Sequence, residues 1–155
     1  MLKKIFAIGI YIFAVFIHAD SVDNEIALAT IKKSFLIIKS TSNYNEAKQY
    51  AEEIAKTSHI KLDFRDLQFH KKNYLTHNKE TCKEYGYPCY FPRGRYDDGE
   101  YISIEHSNSY KHLKNGYYIV IAASGTHLES SLEKIKKVVP NAYIKSDKVY
   151  MGCMH

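Results

Sequence analysis

An α+β fold is expected from this sequence: an antiparallel sheet carrying two helices on one face. Three observations predict it. Residues 116–150 read as strand, helix and strand in succession. Residues 35–46 match residues 118–129 in chemistry without a gap, at a constant offset of 83 (118 against 35), so the same unit occurs earlier in the chain. Between the two units, residues 101–106 alternate polar and apolar side chains, the period of a half-buried strand. Two βαβ-type units in series, with two helices and four or five strands, define the split βαβ plan, the ferredoxin-like βαββαβ order.

The chain opens on Lys3 and Lys4, an apolar run over residues 5–17, and a small residue at Ala19. That is the pattern of a signal peptide over residues 1–19. The run is shorter than the roughly 20 residues a membrane span needs, so an exported chain with no stable span after cleavage is expected. Removing 19 of 155 residues leaves 136, the size of one domain. Loss of Lys3 and Lys4 lowers the net charge from +5 to +3. The remaining lysines are interspersed with acids and form no basic stripe, so nucleic acid is not an expected partner. Residues 20–33 are a short lead-in, and the domain proper is expected over residues 34–155.

In the first unit, Phe35, Leu36, Ile37 and Ile38 make an apolar strand, and Asn43-x-x-Glu46 is a capping box. Ala47, Tyr50, Ala51, Ile54 and Ala55 then share one helix face. Ile60, Leu62 and Phe64 alternate with Lys61, Asp63 and Arg65, predicting a strand. In the second unit, residues 117–123 form the strand, Gly125 breaks it, and Thr126-x-x-Glu129 is a second capping box. Leu128, Leu132, Ile135 and Val139 form the helix stripe, and Pro140 stops it. A last strand begins at Ala142.

Residues 68–99 interrupt this pattern with three glycines, two prolines and no sustained period. A loop this long inside a compact domain is uncommon and is often functional. Cys82 and Cys89 lie in it. In an exported chain a disulfide between them is the default pairing, with Cys153 free; a Cys89–Cys153 bridge is the competing arrangement.

If both helices cover one sheet face, the other is open. Its outward positions are Lys61, Asp63 and Arg65 on one strand and Tyr101, Ser103 and Glu105 on another. Beside them the insertion gathers Tyr85, Tyr87, Tyr90, Phe91 and Tyr96 with Arg93 and Arg95. Tyrosine offers an apolar ring and a polar tip, which suits the C–H faces and hydroxyls of a glycan, and arginine suits carboxylates. The same tyrosines could equally pack the insertion onto the sheet as a second small core.

The stretches GYYIVIAASGTHLESSLEKIKKVVPNAYIKS (116–146) and SFLIIKSTSNYNEAKQYAEEIAKTSHIKLDF (34–64) resemble the two halves of the SPOR (sporulation-related repeat) domain. The resemblance covers about 60 of the 136 residues left after the leader. It implies a periplasmic domain whose open sheet binds peptidoglycan glycan strands. On that reading Arg65, Tyr90, Arg93, Arg95, Tyr96, Tyr101 and Glu105 form the glycan-binding set. An interaction module for an envelope protein is the alternative. A glycan-cleaving enzyme is the third reading, resting on Asp97 and Asp98, but that pair also spells an ordinary turn. Cys153-x-His155 and the other histidines lack metal-ligand spacing, so no metal or cofactor is expected.

Overall fold

The computed structural model describes residues 29–152. Its elements are β1 (Thr30–Thr41), α1 (Tyr44–Ser58), β2 (Leu67–His70), β3 (Tyr74–His77), β4 (Gly99–His106), a 3-10 turn (Ser107–Ser109), β5 (Tyr118–Gly125), α2 (Glu129–Lys136) and β6 (Tyr143–Tyr150). Residues Lys32–Val149 form one compact unit. Residues 29–31 and 150–152 are the described residues of a second unit. Within its described residues the Met151 N–H donates to the Ala29 carbonyl (2.8 Å). The expected leader (1–19) and Cys153 lie outside the described residues.

The fold is α+β: a four-stranded antiparallel sheet in the order β4-β5-β1-β6, with two helices, and a separate β2–β3 hairpin. Leu36 and Ile38 of β1, Ile102 and Ile104 of β4, and Val120 and Ala122 of β5 share one core with both helices. Ala47 and Ala51 of α1 are fully buried, and their small size lets the helix lie close on the sheet. Ile135 anchors α2. Burying each such aliphatic chain contributes about 1.5–3 kcal/mol.

The two caps differ. Asn43 caps α1 as expected, its side chain accepting from the Asn45 and Glu46 N–H groups. Glu46 does not close the box, because its carboxylate takes Lys39 and the Thr41 hydroxyl instead. The Thr126 box does not form at all: α2 is capped by Leu128 without a side-chain bond and starts at Glu129. Leu128 is only 5% exposed. Its burial, about 1.5–3 kcal/mol, outweighs a cap worth about 1 kcal/mol. Leu132 is half-buried, so the stripe rests on Leu128, Ile135 and Val139.

The gap-free repeat also needs correction. It equates Leu36 with Ile119, yet Leu36 faces the helices while Ile119 lines a crevice with Ile37 on the other side. The β1–β5 pairing carries two register shifts here, with Ala122 the extra residue on β5 between the partners of Leu36 and Ile37, and Ile38 the extra residue on β1 between Ile37 and Lys39, so the two strands do not keep one alternation throughout.

The strand expected at residues 60–65 is reduced to one parallel bridge, Leu62 to Ile102, on the outer edge of β4. Arg65 and Asp66 adopt left-handed backbone (φ 56° and 55°), which ends the extended run and turns the chain into the hairpin. Asp63 holds that turn by accepting the Arg65 N–H (2.8 Å).

The largest departure from expectation is the second sheet face, which is not open. Phe35, Ile37, Ser103, Glu105 and Ile121 are all buried. Tyr110 packs edge-on against Phe35 and residues of the 107–117 connection lie beside Ile37, while Arg93 and Gly94 of the insertion lie against Phe35, Ser103, Glu105 and Ile121. Gly94 makes this possible: its φ is +110°, and an added Cβ would sit 2.8 Å from the Phe35 ring. Upstream, the insertion is organised by the β2–β3 pairing and by Cys82 and Cys89, whose sulfurs lie 2.10 Å apart with Cα atoms at 5.5 Å. The pairing expected from the sequence is the one present.

Candidate functional site

The covering segment is tied to the sheet by Glu105 and Arg93. Glu105 projects from β4 and is fully buried. It accepts from Arg65 Nη1 (2.9 Å), the Tyr90 hydroxyl (2.6 Å) and the Arg93 N–H (3.2 Å). The Tyr90 oxygen in turn accepts the His106 N–H (3.1 Å). Burial, and then the Glu105 charge, raise the Tyr90 phenol well above its ordinary range.

Arg93 is also fully buried. Its guanidinium donates to Ser124 Oγ (3.0 Å), Ser103 Oγ (3.0 Å) and the carbonyls of Tyr101 (2.9 Å), Ile121 (3.2 Å) and Gly99 (2.7 Å). It lies 3.5 Å from the Tyr101 ring centroid. The cation is therefore met by neutral oxygens and a π face, with no carboxylate directly on it. Burial lowers its affinity for the proton. Tyr101 is pushed up to about 12, by burial first.

Arg65 links this interior to the surface. It pairs with Glu105 and with Asp97 (2.9 Å) and donates to the Phe91 carbonyl (3.2 Å). Burial alone would lower its pKa, but Glu105 and then Asp97 more than reverse that, leaving it raised. Its left-handed backbone places strain at the point where the guanidinium enters the network.

Five of the seven residues expected to bind glycan thus occupy one network: Arg65, Tyr90, Arg93, Tyr101 and Glu105. Arg93 and Glu105 cannot reach a ligand; Tyr90 directs its hydroxyl inward to Glu105, and the half-buried Tyr101 donates its own to Asp97 at the groove edge. The sequence pattern identified the outward side of β4 correctly but could not show that the insertion covers it. Of the remaining two, Tyr96 is 70% exposed and Arg95 is half-buried. They border a shallow groove of about 430 Å³, together with Arg65, Asp97, Phe91 and Tyr85. Tyr85 is 68% exposed and packs edge-on against Phe91 (centroids 4.8 Å apart). Tyr85 and Phe91 belong to the ring cluster visible in the sequence, but nothing in their spacing marks them as groove walls. The Arg95 guanidinium stands 5.7 Å from the Tyr96 centroid. The groove therefore combines two exposed phenol rings, two guanidinium groups and one carboxylate.

Asp97 and Asp98 turn apart, the first to Arg65 and the second to Lys33. Glu105 and His106 face opposite sides, as strand alternation requires. His106 stacks on Tyr74 with centroids 3.9 Å apart and planes within 6°. Among the described residues no three His, Cys, Asp or Glu side chains are grouped to hold a metal ion, and no helix is long and apolar enough to cross a membrane. Comparison of the chain with family models, curated proteins and solved structures finds no match.

Proposed function

We propose that this chain is an exported envelope module, SPOR-like in plan, that binds peptidoglycan glycan strands at the Arg65–Arg95–Tyr96 groove. The single observation behind it is the pair of exposed rings, Tyr85 and Tyr96, set beside two arginines on a segment anchored to the sheet. Exposed aromatic rings suit the C–H faces of a sugar, and guanidinium groups suit the carboxylates of muramic acid and peptide stems. The strand order β4-β5-β1-β6, with both helices in one core, supports the ferredoxin-like reading. The leader pattern and the Cys82–Cys89 pair support the periplasm.

The site differs from the one the family resemblance implies. It lies on the outside of the covering segment, with the sheet face beneath serving as its support. Co-sedimentation of the mature chain with purified sacculi tests this. Tyr96→Ala should weaken binding roughly two- to tenfold, the equivalent of about 0.5–1.5 kcal/mol for one ring. Arg95→Ala should weaken it by up to about tenfold, with part of the loss mimicked by salt in the parent. Parent-like pelleting of both variants would remove the groove. Capture that persists on a peptidoglycan-free envelope fraction would point to a protein partner.

A further inference from the structure

A second groove, of different chemistry, opens at the start of α1. It holds about 520 Å³ and is lined by Ser42, Asn43, Tyr44, Asn45, Phe69 and Tyr118. None of these six side chains is ionised at neutral pH, whereas the Arg95 groove contains three charged groups. The three rings are arranged around one another. Tyr44 lies 5.4 Å from Phe69 at 33° and 5.4 Å from Tyr118 at 66°. Tyr118 is buried and Tyr44 half-buried, so they form the floor. Phe69 is 54% exposed, a large apolar ring on a two-stranded hairpin that leaves it beside the groove instead of in the core.

The polar rim is oriented by the helix cap. Asn43 Oδ1 is committed to the Asn45 and Glu46 N–H groups (2.9 and 3.3 Å). That fixes the amide and turns its Nδ2 donor away from the helix. Ser42 and Asn45 are exposed beside it and add a hydroxyl and a second amide. Apolar rings together with neutral donors and acceptors match a pyranose, which has one C–H face and equatorial hydroxyl or acetamido groups. The size is within the range of small-ligand clefts, roughly 300–1,000 Å³.

We propose that the Tyr44–Phe69–Tyr118 groove is a saccharide site for an uncharged sugar unit, stacked on Phe69 and hydrogen-bonded by Ser42, Asn43 and Asn45. It does not rest on the envelope reading, because its lining and its probe are distinct from those of the Arg95 groove.

The probe is the neutral trimer of β-1,4-linked N-acetylglucosamine, titrated into the mature chain and followed by amide chemical shifts. Saturable shifts are expected at residues 42–45 and 69, insensitive to 0.5 M salt. Phe69→Ala should weaken binding roughly tenfold or more, since one stacked ring and its contact area are lost. If that variant fails to fold, Phe69→Leu keeps an apolar group and removes the flat face, and the same weakening is expected. Absence of saturable shifts overturns the site, as do shifts confined to residues 85–97 or binding unchanged in the folded Phe69 variant. Failure here would leave sacculus pelleting through Arg95 and Tyr96 untouched, so the two proposals fail separately.

Discussion

Replacing Arg93 separates a structural pin from a ligand-binding arginine. Its five acceptors are Gly99 O, Tyr101 O, Ile121 O, Ser103 Oγ and Ser124 Oγ, all within 3.2 Å. In Arg93→Ala the two hydroxyls can rotate to other partners, and carbonyls that have a second bonding partner keep it. If one or two acceptors are truly orphaned, at about 1–3 kcal/mol each, the loss is roughly 2–4 kcal/mol. The void beneath the covering segment and the lost stacking on Tyr101 add to this. Relief from burying a charge, which costs several kcal/mol, subtracts from it. A net loss of about 3 kcal/mol is expected. Arg93→Met keeps the stem volume and should lose less, about 1–2 kcal/mol. Arg93→Lys should not rescue, because an ammonium cannot span acceptors arranged for a planar fork. Urea unfolding measures the difference directly. In thermal melts the Ala variant should drop by roughly 10–15 °C for a unit of this size. Folded Arg93→Met should still pellet with sacculi. If Arg93→Ala is as stable as the parent to within 0.5 kcal/mol, the covering segment is not pinned by this residue, and the reasoning that removes Arg93 from the ligand site collapses.

Further expectations address other parts of the fold. Gly94→Ala should cost about 1–3 kcal/mol, because φ is +110° and the new Cβ would press on Phe35; a parent-like urea midpoint would show that the segment lifts freely. Cys82→Ala/Cys89→Ala should lose roughly 2.5 kcal/mol by the chain-entropy estimate for so short a loop, and non-reducing peptide mapping should find those two peptides linked. Ile135→Ala should cost about 2–5 kcal/mol and Leu132→Ala clearly less, since Ile135 is buried and Leu132 only half-buried; equal losses would contradict the packing of α2. Stability should fall as pH drops through about 6.5: burial lowers the pKa of His77 and His106 in the folded chain, so the unfolded chain binds the extra protons in that window. The carboxylates of Asp63 and Glu100, held low first by their bonds to Lys61 and Lys134, act in a separate window below about pH 4.5. A His77→Gln/His106→Gln double variant should flatten the upper window when urea midpoints are followed from pH 7.5 to 5.

Periodic stretches were legible from the sequence and the non-periodic one was not, for a physical reason. Leu36, Ile104, Val120 and Ile135 lie in the core because a buried face imposes a period of 2 or 3.6 on the residues that fill it. Asn43 could be identified because a cap acts through neighbours two and three residues away. Thr126 misled because the competing term, burial of Leu128, depends on the sheet and not on its neighbours in sequence. The insertion is the extreme case. What orders residues 90–98 is a set of bonds to Gly99, Tyr101, Ser103, Glu105, Ile121 and Ser124, and those to Ile121 and Ser124 reach 28 and 31 residues along the chain. No local pattern encodes such contacts. The outward alternation of Tyr101, Ser103 and Glu105 was real, but polar outward positions have two physical meanings: they can face water, or they can face a buried polar plug. The chemistry of the plug distinguishes them. Ser103 and Glu105 each receive a hydrogen bond from Arg93, one from its guanidinium and one from its main-chain N–H, and the tyrosine ring beside them is covered by that guanidinium. A strand whose outward residues are acceptors, opposite a segment rich in arginine and tyrosine, is therefore also the pattern of a closed face. Under that reading, recognition moves one layer outward, to the groove bordered by Tyr85, Arg95 and Tyr96.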